Sequence, residues 1–399
     1  PYDNEIDQYS QDHIQIFFQR EISDRMHINL VSNYTHGKGF YENYKSNQNL
    51  ESYGLVSSGI GFADLIRQKW LDNDFLFLNG SATVKLAKNW NISPQATYSY
   101  YHGDHFGIVK QALLSNYQYV RNPYYDNSGI KKEITWGFKS VFSPYKDLNL
   151  NLDLQWRWID YSISGTEDEN KIDVDANYTL FTPKIFMDWG ISKKLKGYGS
   201  AGIMRREAFR EDLLADPEGQ QAEELWDGEL GFNFILTPKI SAKLNMFYMH
   251  YKRLRALSGE LNDVGEPLRI FLQNVKTKGV EYEMDFQVFG GLKFKHSASL
   301  LWTRIPRWEE TIPSYDSVWN SLPSETISRS NVSLGFSPKF VSESRLSYLV
   351  YTKKLNWPSI SFYVDLHTMS EFYLDNTERK ESQIPSQLTM DFGLETPIH

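Results

Sequence analysis

Leu148–Trp158 reads LNLNLDLQWRW, and its spacing decides the fold. Leu148, Leu150, Leu152, Leu154, Trp156 and Trp158 form one set, and Asn149, Asn151, Asp153, Gln155 and Arg157 form the other. Strict alternation of apolar and polar residues is the mark of a strand with one apolar and one polar face. At ~3.3 Å per residue the stretch is roughly 33 Å long. Tilted by ~45° it stands roughly 23 Å tall, close to the apolar band of a bilayer crossed by strands.

The same period recurs on both sides. Val280, Tyr282, Met284, Phe286 and Val288 alternate with Glu281, Glu283, Asp285 and Gln287. Leu292, Phe294, Ala298, Leu300 and Trp302 alternate with Lys293, Lys295, Ser297 and Ser299. Shorter runs at 26–30, 359–366 and 387–394 do likewise. No amphipathic helix of comparable clarity is present. The polar faces carry charges of both signs, which suits a hydrated lumen.

Connections between these runs alternate in length. Ser23-Asp24, Lys88-Asn89, 143–147, 192–194, 237–239, Gly290-Gly291 and 355–358 have ordinary turn chemistry. Between them lie polar, aromatic-rich stretches at 37–64, 102–129, 164–173, 206–223, 257–272, 305–342 and 374–385. Short turns on one side and long loops on the other are the pattern of a transmembrane β-barrel. A soluble sandwich has no reason to sort loop length by side.

The bulk numbers agree. The chain has 399 residues and a net charge of −8 with mixed signs, so no basic patch points to nucleic acid. Mean hydropathy is −0.50 and no apolar run reaches the length of a membrane helix. A barrel strand is apolar only at alternate positions, so that value is compatible with a membrane. There is no cysteine, which removes disulfides and thiolate metal sites. Aromatics reach 15% and gather near strand ends, as at Tyr98, Tyr100 and Tyr101, Trp156, Trp158 and Tyr161, Phe186 and Trp189, Tyr248 and Tyr251, and Phe372 and Tyr373. Girdles at two membrane interfaces account for that placement, beside the ordinary preference of aromatics for strands.

The expected architecture is therefore all-β: an antiparallel up-and-down barrel of about 15 strands, with the first and last running toward the short turns. An odd number cannot close an even-stranded barrel, and an open edge in lipid leaves backbone groups unpaired. Further strands are expected. No signal peptide is visible at Pro1.

Seven further stretches are distinctive: YTHGKGFYENYK (Tyr34–Lys45), RQKWLDNDF (Arg67–Phe75), HGDHFG (His102–Gly107), YYDNSG (Tyr124–Gly129), SGELNDVGEPLR (Ser258–Arg269), KGVEYE (Lys278–Glu283) and FYLDNT (Phe372–Thr377). Together, in this order, they resemble the barrel of TonB-dependent outer-membrane receptors, in particular those of Bacteroidota. The resemblance implies a barrel of roughly 22 strands with a plugged lumen. It also implies a plug and a TonB-binding segment, neither of which is in this chain. The family usually ends in an aromatic, whereas this chain ends ETPIH. The chain thus reads as an internal piece, with about five strands before it and two after. The implied partners are the TonB complex, outer-membrane lipid, a surface lipoprotein, and a nutrient that is a siderophore, a vitamin, haem or a glycan. The implied location is the bacterial outer membrane.

Candidate site residues are few. His102, Asp104 and His105, with Tyr101 and Phe106, are a site-like cluster, though their spacing matches no metal motif. Loop packing or contact with plug or substrate is the preferred reading. Glu260, Asp263, Glu266 and Arg269 lie in a glycine-punctuated stretch that reads as a folded hairpin or a substrate-facing loop. Glu167, Asp168, Glu169, Asp173 and Asp175 lack the spacing and glycine of an EF-hand calcium loop and read as solvated. Asp153, Arg157, Glu281, Glu283, Asp285, Lys293 and Lys295 read as plug contacts or as wall salt bridges. No nucleophilic triad, carboxylate pair or phosphate loop is present, so neither an enzyme nor a cofactor is expected. The alternatives are a passive porin-like channel and a soluble all-β binding protein.

Overall fold

The computed structural model of the protein describes residues 5–55, 61–112, 123–167, 170–215, 220–261, 267–316, 321–350 and 360–396. Strands dominate: β1 (Ile6–Ser23), β2 (Met26–Asn49), β3 (Phe62–Ala87), β4 (Trp90–Ala112), β5 (Tyr125–Tyr145), β6 (Leu148–Glu167), β7 (Asn170–Ser192), β8 (Leu195–Arg206) and β9 (Glu223–Thr237) come first. They are followed by β10 (Ile240–Leu261), β11 (Pro267–Phe289), β12 (Leu292–Tyr315), β13 (Ser321–Val332), β14 (Phe340–Val350), β15 (Ile360–Met369), β16 (Phe372–Tyr373), β17 (Gln383–Ile384) and β18 (Gln387–Glu395). One short helix, α1 (Arg210–Ala215), lies between β8 and β9.

The main sheet follows chain order from β1 to β12 and then β14, β15 and β18. That path has 15 strands, as the periodicity predicts, and is antiparallel and up-and-down. β13 leaves it: the first half of β12 pairs with β14, from Leu292↔Tyr348 to Leu300↔Phe340, while its far half pairs with β13. No helix among the described residues is long and apolar enough to cross a membrane.

The short turns lie where the sequence places them, and three share one device. Ser23, Ser192 and Thr237 each accept a hydrogen bond at their hydroxyl from the backbone N–H two residues on, at 3.3, 3.2 and 3.2 Å. This side-chain mimic of a backbone turn reverses the chain in two residues. At Gly290 and Gly291 both φ values are positive, 39° and 103°, which only glycine adopts without strain. The turn expected at 355–358 lies outside the described residues.

The long connections differ from expectation. Much of 37–64, 102–129, 164–173, 257–272 and 305–342 is strand: β2 runs to Asn49, β4 to Ala112 and β10 to Leu261. A strand crossing a bilayer needs only about 9–11 residues, so strands of 20 to 26 residues extend well beyond it. Ladder pairing continues there because small cores form on the extensions. Leu50, Tyr53, Leu55, Ala63, Leu65 and Val109 make one, over β2–β4. Leu272, Val275, Ile305, Trp308 and Val332 make another, over β11–β13.

Two compact units divide the chain: 1–140, 153–181 and 207–221 in the first, and 141–152, 182–206 and 222–399 in the second. Each presents the same two faces. In the first, Ile16, Phe18, Leu30 and Trp136 stand exposed on the apolar face. In the second, Ile185, Trp189, Tyr282, Leu300, Trp302 and Phe362 do so.

Candidate functional site

Strand geometry sorts the predicted cluster on β4. Successive side chains point to opposite faces. Tyr98 lies on the apolar face, level with Leu78 of β3. His102 and Asp104 continue on that side, opposite Asp74 and Asp72. Tyr101 and His105 lie on the polar face. The alternation divides these residues between the two faces, which the HGDHFG spelling alone conceals.

On the polar face of the first unit, residues 207–215 fold over the strands. Arg210 of α1 donates hydrogen bonds to Asn127 Oδ1 and to the Tyr161 hydroxyl. Gly129 makes room for it, since a Cβ there would come within 2.9 Å of Arg210 Nη1. Tyr101 and His105 lie within electrostatic reach of the same guanidinium. Burial and Arg210 together push the His105 imidazole down to about 4, against a weaker pull from Asp104. That ring is therefore neutral at physiological pH. Burial raises the Tyr161 phenol, opposed by Arg210.

Beside this patch is an ion network. Arg157 of β6 donates to Glu133 of β5 at 2.7 and 3.0 Å and to Glu207 at 2.9 and 3.0 Å. Lys131 adds a contact to Glu207 at 2.7 Å. Burial alone would raise the Glu207 carboxyl, but the bonds from Arg157 and Lys131 outweigh it and hold the group at about 2. Bidentate, charge-assisted bonds of this type are the strong ones.

In the second unit the polar-face charges pair directly across the ladder. Lys243 meets Glu283 at 2.7 Å, Lys295 meets Asp285 at 3.5 Å, and Arg345 grips Asp365 with two bonds of 2.7 Å. Each pair occupies register-opposed positions. A cavity of about 670 Å³ lies on this face, lined by Glu283, Lys293, Arg345, Tyr363 and Glu395 among others. Farther out, Glu224 of β9 holds Arg205 at 3.0 Å and Lys252 at 3.1 Å. The wall-bridge reading of Arg157, Glu283, Asp285 and Lys295 thus has its geometry.

The other predicted residues are not brought together with these. Arg269 is exposed on β11, opposite Leu257. Glu260 lies in β10, with its side chain outside the described set, and Asp263 and Glu266 lie outside the described residues. Asp168 and Glu169 do so as well, while Asp173 meets Lys171 at 3.6 Å with both side chains exposed. Among the described residues no group of three or more His, Asp or Glu side chains is placed to hold a metal.

No protein-family model matches the chain, and no curated protein matches it. Solved structures do. The copper transporter OprC superposes with a TM-score of 0.68 at 11% identity, over 97% of this chain and 58% of OprC. The siderophore receptor PiuA of Acinetobacter baumannii gives 0.63 at 12% identity, over 100% of this chain and 59% of PiuA. The ferric-catecholate import receptor Fiu of E. coli K12 gives 0.63 at 10% identity, over 100% and 59%. The fold is that of these receptors' strand walls. This chain spans less than two thirds of their length.

Sequence reasoning missed Arg210 and Glu207, the residues that organise the polar-face patch. Their segment, EAFREDLLA, has no strand period and ends in a helix of 6 residues. Its charges could have been flagged, but nothing in their spacing names partners 50 to 83 positions away.

Proposed function

We propose that this chain is the strand wall of a TonB-dependent outer-membrane receptor that takes up a scarce nutrient. The observation that carries the reading is the two-faced sheet. Its 15-strand path has an exposed apolar face, fit for lipid, and a polar face of cross-paired charges, fit for a hydrated lumen. The likeness to transporters and import receptors supports it, as does the resemblance of several sequence stretches to receptors of the Bacteroidota type. Siderophore, ferric-catecholate and copper cargo of the neighbours make a metal or metal chelate the first substrate to test.

In this reading Tyr101 and His105, with Arg210, contact the cargo or the plug on the polar face. His102, Asp104, Glu260, Asp263 and Arg269 belong to the outer region that first meets it. A surface lipoprotein is a further proposed partner. The test is uptake of labelled ferric chelates, copper and vitamin by cells carrying the intact receptor, with and without a functional TonB complex. Uptake that needs TonB and falls in an Arg210→Met receptor supports the reading. Uptake that is insensitive to TonB identifies a passive channel instead.

A further inference from the structure

The apolar face of the second unit ends in cations. Tyr248, Lys278 and Trp302 occupy one register row across β10 to β12. Trp226, His250, Lys276 and Arg304 occupy the next, across β9 to β12. Residues opposed in a ladder point to the same side, so both rows continue the face of Leu230, Met246, Val280 and Leu300. Lys252 lies over the Trp226 ring, 4.7 Å from its centre. From the Gly290 turn back to Lys278, at ~3.3 Å per residue and ~45° of tilt, the height gained is roughly 28 Å. An apolar band of about 25 Å ends just below that level. Exposed tryptophan and tyrosine at this height suit a membrane interface. Val275, buried on the opposite face at 0% exposure, marks the same limit.

Elsewhere in this unit the ladder sets base against acid: Lys243 against Glu283, Lys295 against Asp285, Arg345 against Asp365. Here it sets base against base. Lys276 and Arg304 are directly opposite each other, which destabilises a ladder unless an anion stands between them. Lys276 and Lys278 are exposed, and among the described residues neither meets a carboxylate. The carboxylates that meet other cations of this patch are already engaged. Glu224 holds Arg205 at 3.0 Å and Lys252 at 3.1 Å. Glu378 accepts from the Ser333 N–H at 2.8 Å and lies 3.8 Å from Arg304. The patch keeps a surplus of positive charge at the edge of an apolar surface.

We propose that Lys276, Lys278 and Arg304 bind a phosphate of an outer-leaflet glycolipid, whose acyl chains lie along Met246, Val280 and Leu300 beneath. The inference rests on the proposed outer-membrane location. The outward leaflet of such a membrane is phosphorylated glycolipid, so its phosphates are the anions at that height. A phosphate monoester offers three acceptor oxygens and up to two charges, enough for two ammonium groups and a guanidinium. A phospholipid phosphodiester carries one charge and satisfies fewer of them.

The test uses the intact receptor that carries this chain, folded into phosphatidylcholine vesicles. These contain equal small amounts of bisphosphorylated lipid A, the same lipid stripped of phosphate, and phosphatidylglycerol. After gentle detergent extraction, native mass spectrometry counts the lipids retained. The phosphorylated form is expected to exceed the stripped form at least about fivefold, the worth of one lysine beside an anionic lipid surface. Lys276→Gln with Lys278→Gln brings that ratio to about one, and Lys276→Arg with Lys278→Arg keeps it. Lys88→Gln with Lys239→Gln, at the short turns, removes the same charge elsewhere and leaves the ratio unchanged. Equal retention of the two forms overturns the proposal, as does phosphatidylglycerol retained as well as lipid A. A ratio unmoved by the first glutamine pair, or lowered as much by the turn pair, overturns it too. Folding is read separately by heat-modifiable gel mobility. A receptor that folds in vesicles without the preference loses only the lipid site, whereas one that never folds there loses the outer-membrane reading as well.

Discussion

Arg157 and Glu207 are 50 positions apart in the chain and joined by two hydrogen bonds of 2.9 and 3.0 Å. The same guanidinium holds Glu133 on its other side, so one side chain ties the segment after β8 to β5 and β6. Both carboxylates are largely shielded, with side-chain exposures of 11% and 18%. A shielded charge that loses its partner costs far more than the net worth of the pair.

Arg157→Met should therefore destabilise the protein by on the order of 3 kcal/mol. It should also free residues 207–215 for protease cleavage. Arg157→Lys keeps the charge but loses the fork, and should fall between. The pH dependence comes from Glu207, whose carboxyl is held at about 2 from an ordinary 4.5. A depressed carboxyl contributes in full above its unfolded value and loses that contribution as pH falls through the folded one. The stability gap between wild type and variant should stay constant at neutral pH and close only below about 4.5. A gap that closes near pH 7 would assign the effect to another group.

His105 acts with the same sign in a higher window. Its imidazole is pushed down from 6.5 to about 4, so between those values the unfolded chain binds a proton that the folded chain refuses. Stability should fall as pH drops through that window, and His105→Gln should lose less of it than wild type. Titration of a ring-labelled His105 by NMR is the direct check. A midpoint near 6.5 would mean that the ring is neither buried nor faced by Arg210.

Arg345 and Asp365 test the paired wall of the second unit. Asp365 is 7% exposed and takes both bonds from a guanidinium that is 37% exposed. Water at the arginine screens the pair, so its coupling is expected at about 1 kcal/mol. A cycle of Arg345→Met, Asp365→Asn and the double variant measures that term by itself. Zero coupling would make the contact incidental to the fold.

The assignment of faces is tested by neighbours on β6. Leu152 is 37% exposed on the apolar face, and Asp153 is exposed on the polar one. An arginine against lipid near the midplane costs ~2–4 kcal/mol, and one toward a hydrated lumen costs less. Leu152→Arg should impair folding into vesicles more than Asp153→Arg, read by gel mobility. The reverse order would invert the faces.

Fold class, strand number and the short turns were legible because each rests on local chemistry: period two, a hydroxyl before a basic residue, two glycines in a row. The extent of the strands was not, and β6 gives the reason. Through Trp158 its apolar residues are even-numbered. From Ile159 they are odd-numbered, and Ile159, Tyr161 and Ile163 are buried at 3%, 7% and 0% exposure. β7 makes the same exchange, from buried Val174, Ala176, Tyr178 and Leu180 to exposed Ile185, Met187 and Trp189. One unbroken alternation ends at the inversion, and the residues beyond it then resemble a loop. The proposed membrane location accounts for the inversion. Where the outer surface would pass from lipid to water it would no longer favour apolar side chains, while the polar face gains a cover that does. In the first unit that cover includes 207–215, whose Ala208 and Leu213 are themselves buried.

That explanation predicts where water begins. The chain has no cysteine, so single-cysteine variants report without background. In receptors folded into vesicles, Leu152→Cys should react slowly with a charged maleimide despite its exposure on the protein surface, because lipid covers it. Asp160→Cys, on the same face two residues beyond Trp158, should react fast. Ile163→Cys, on the other face, should react only after unfolding, because protein covers it. Each of the three rates isolates one term: lipid, water and packing. If Leu152→Cys reacts as fast as Asp160→Cys in vesicles, no bilayer lies against β6. The phase inversion would then mark a change of core in a water-exposed sheet and not the edge of a membrane.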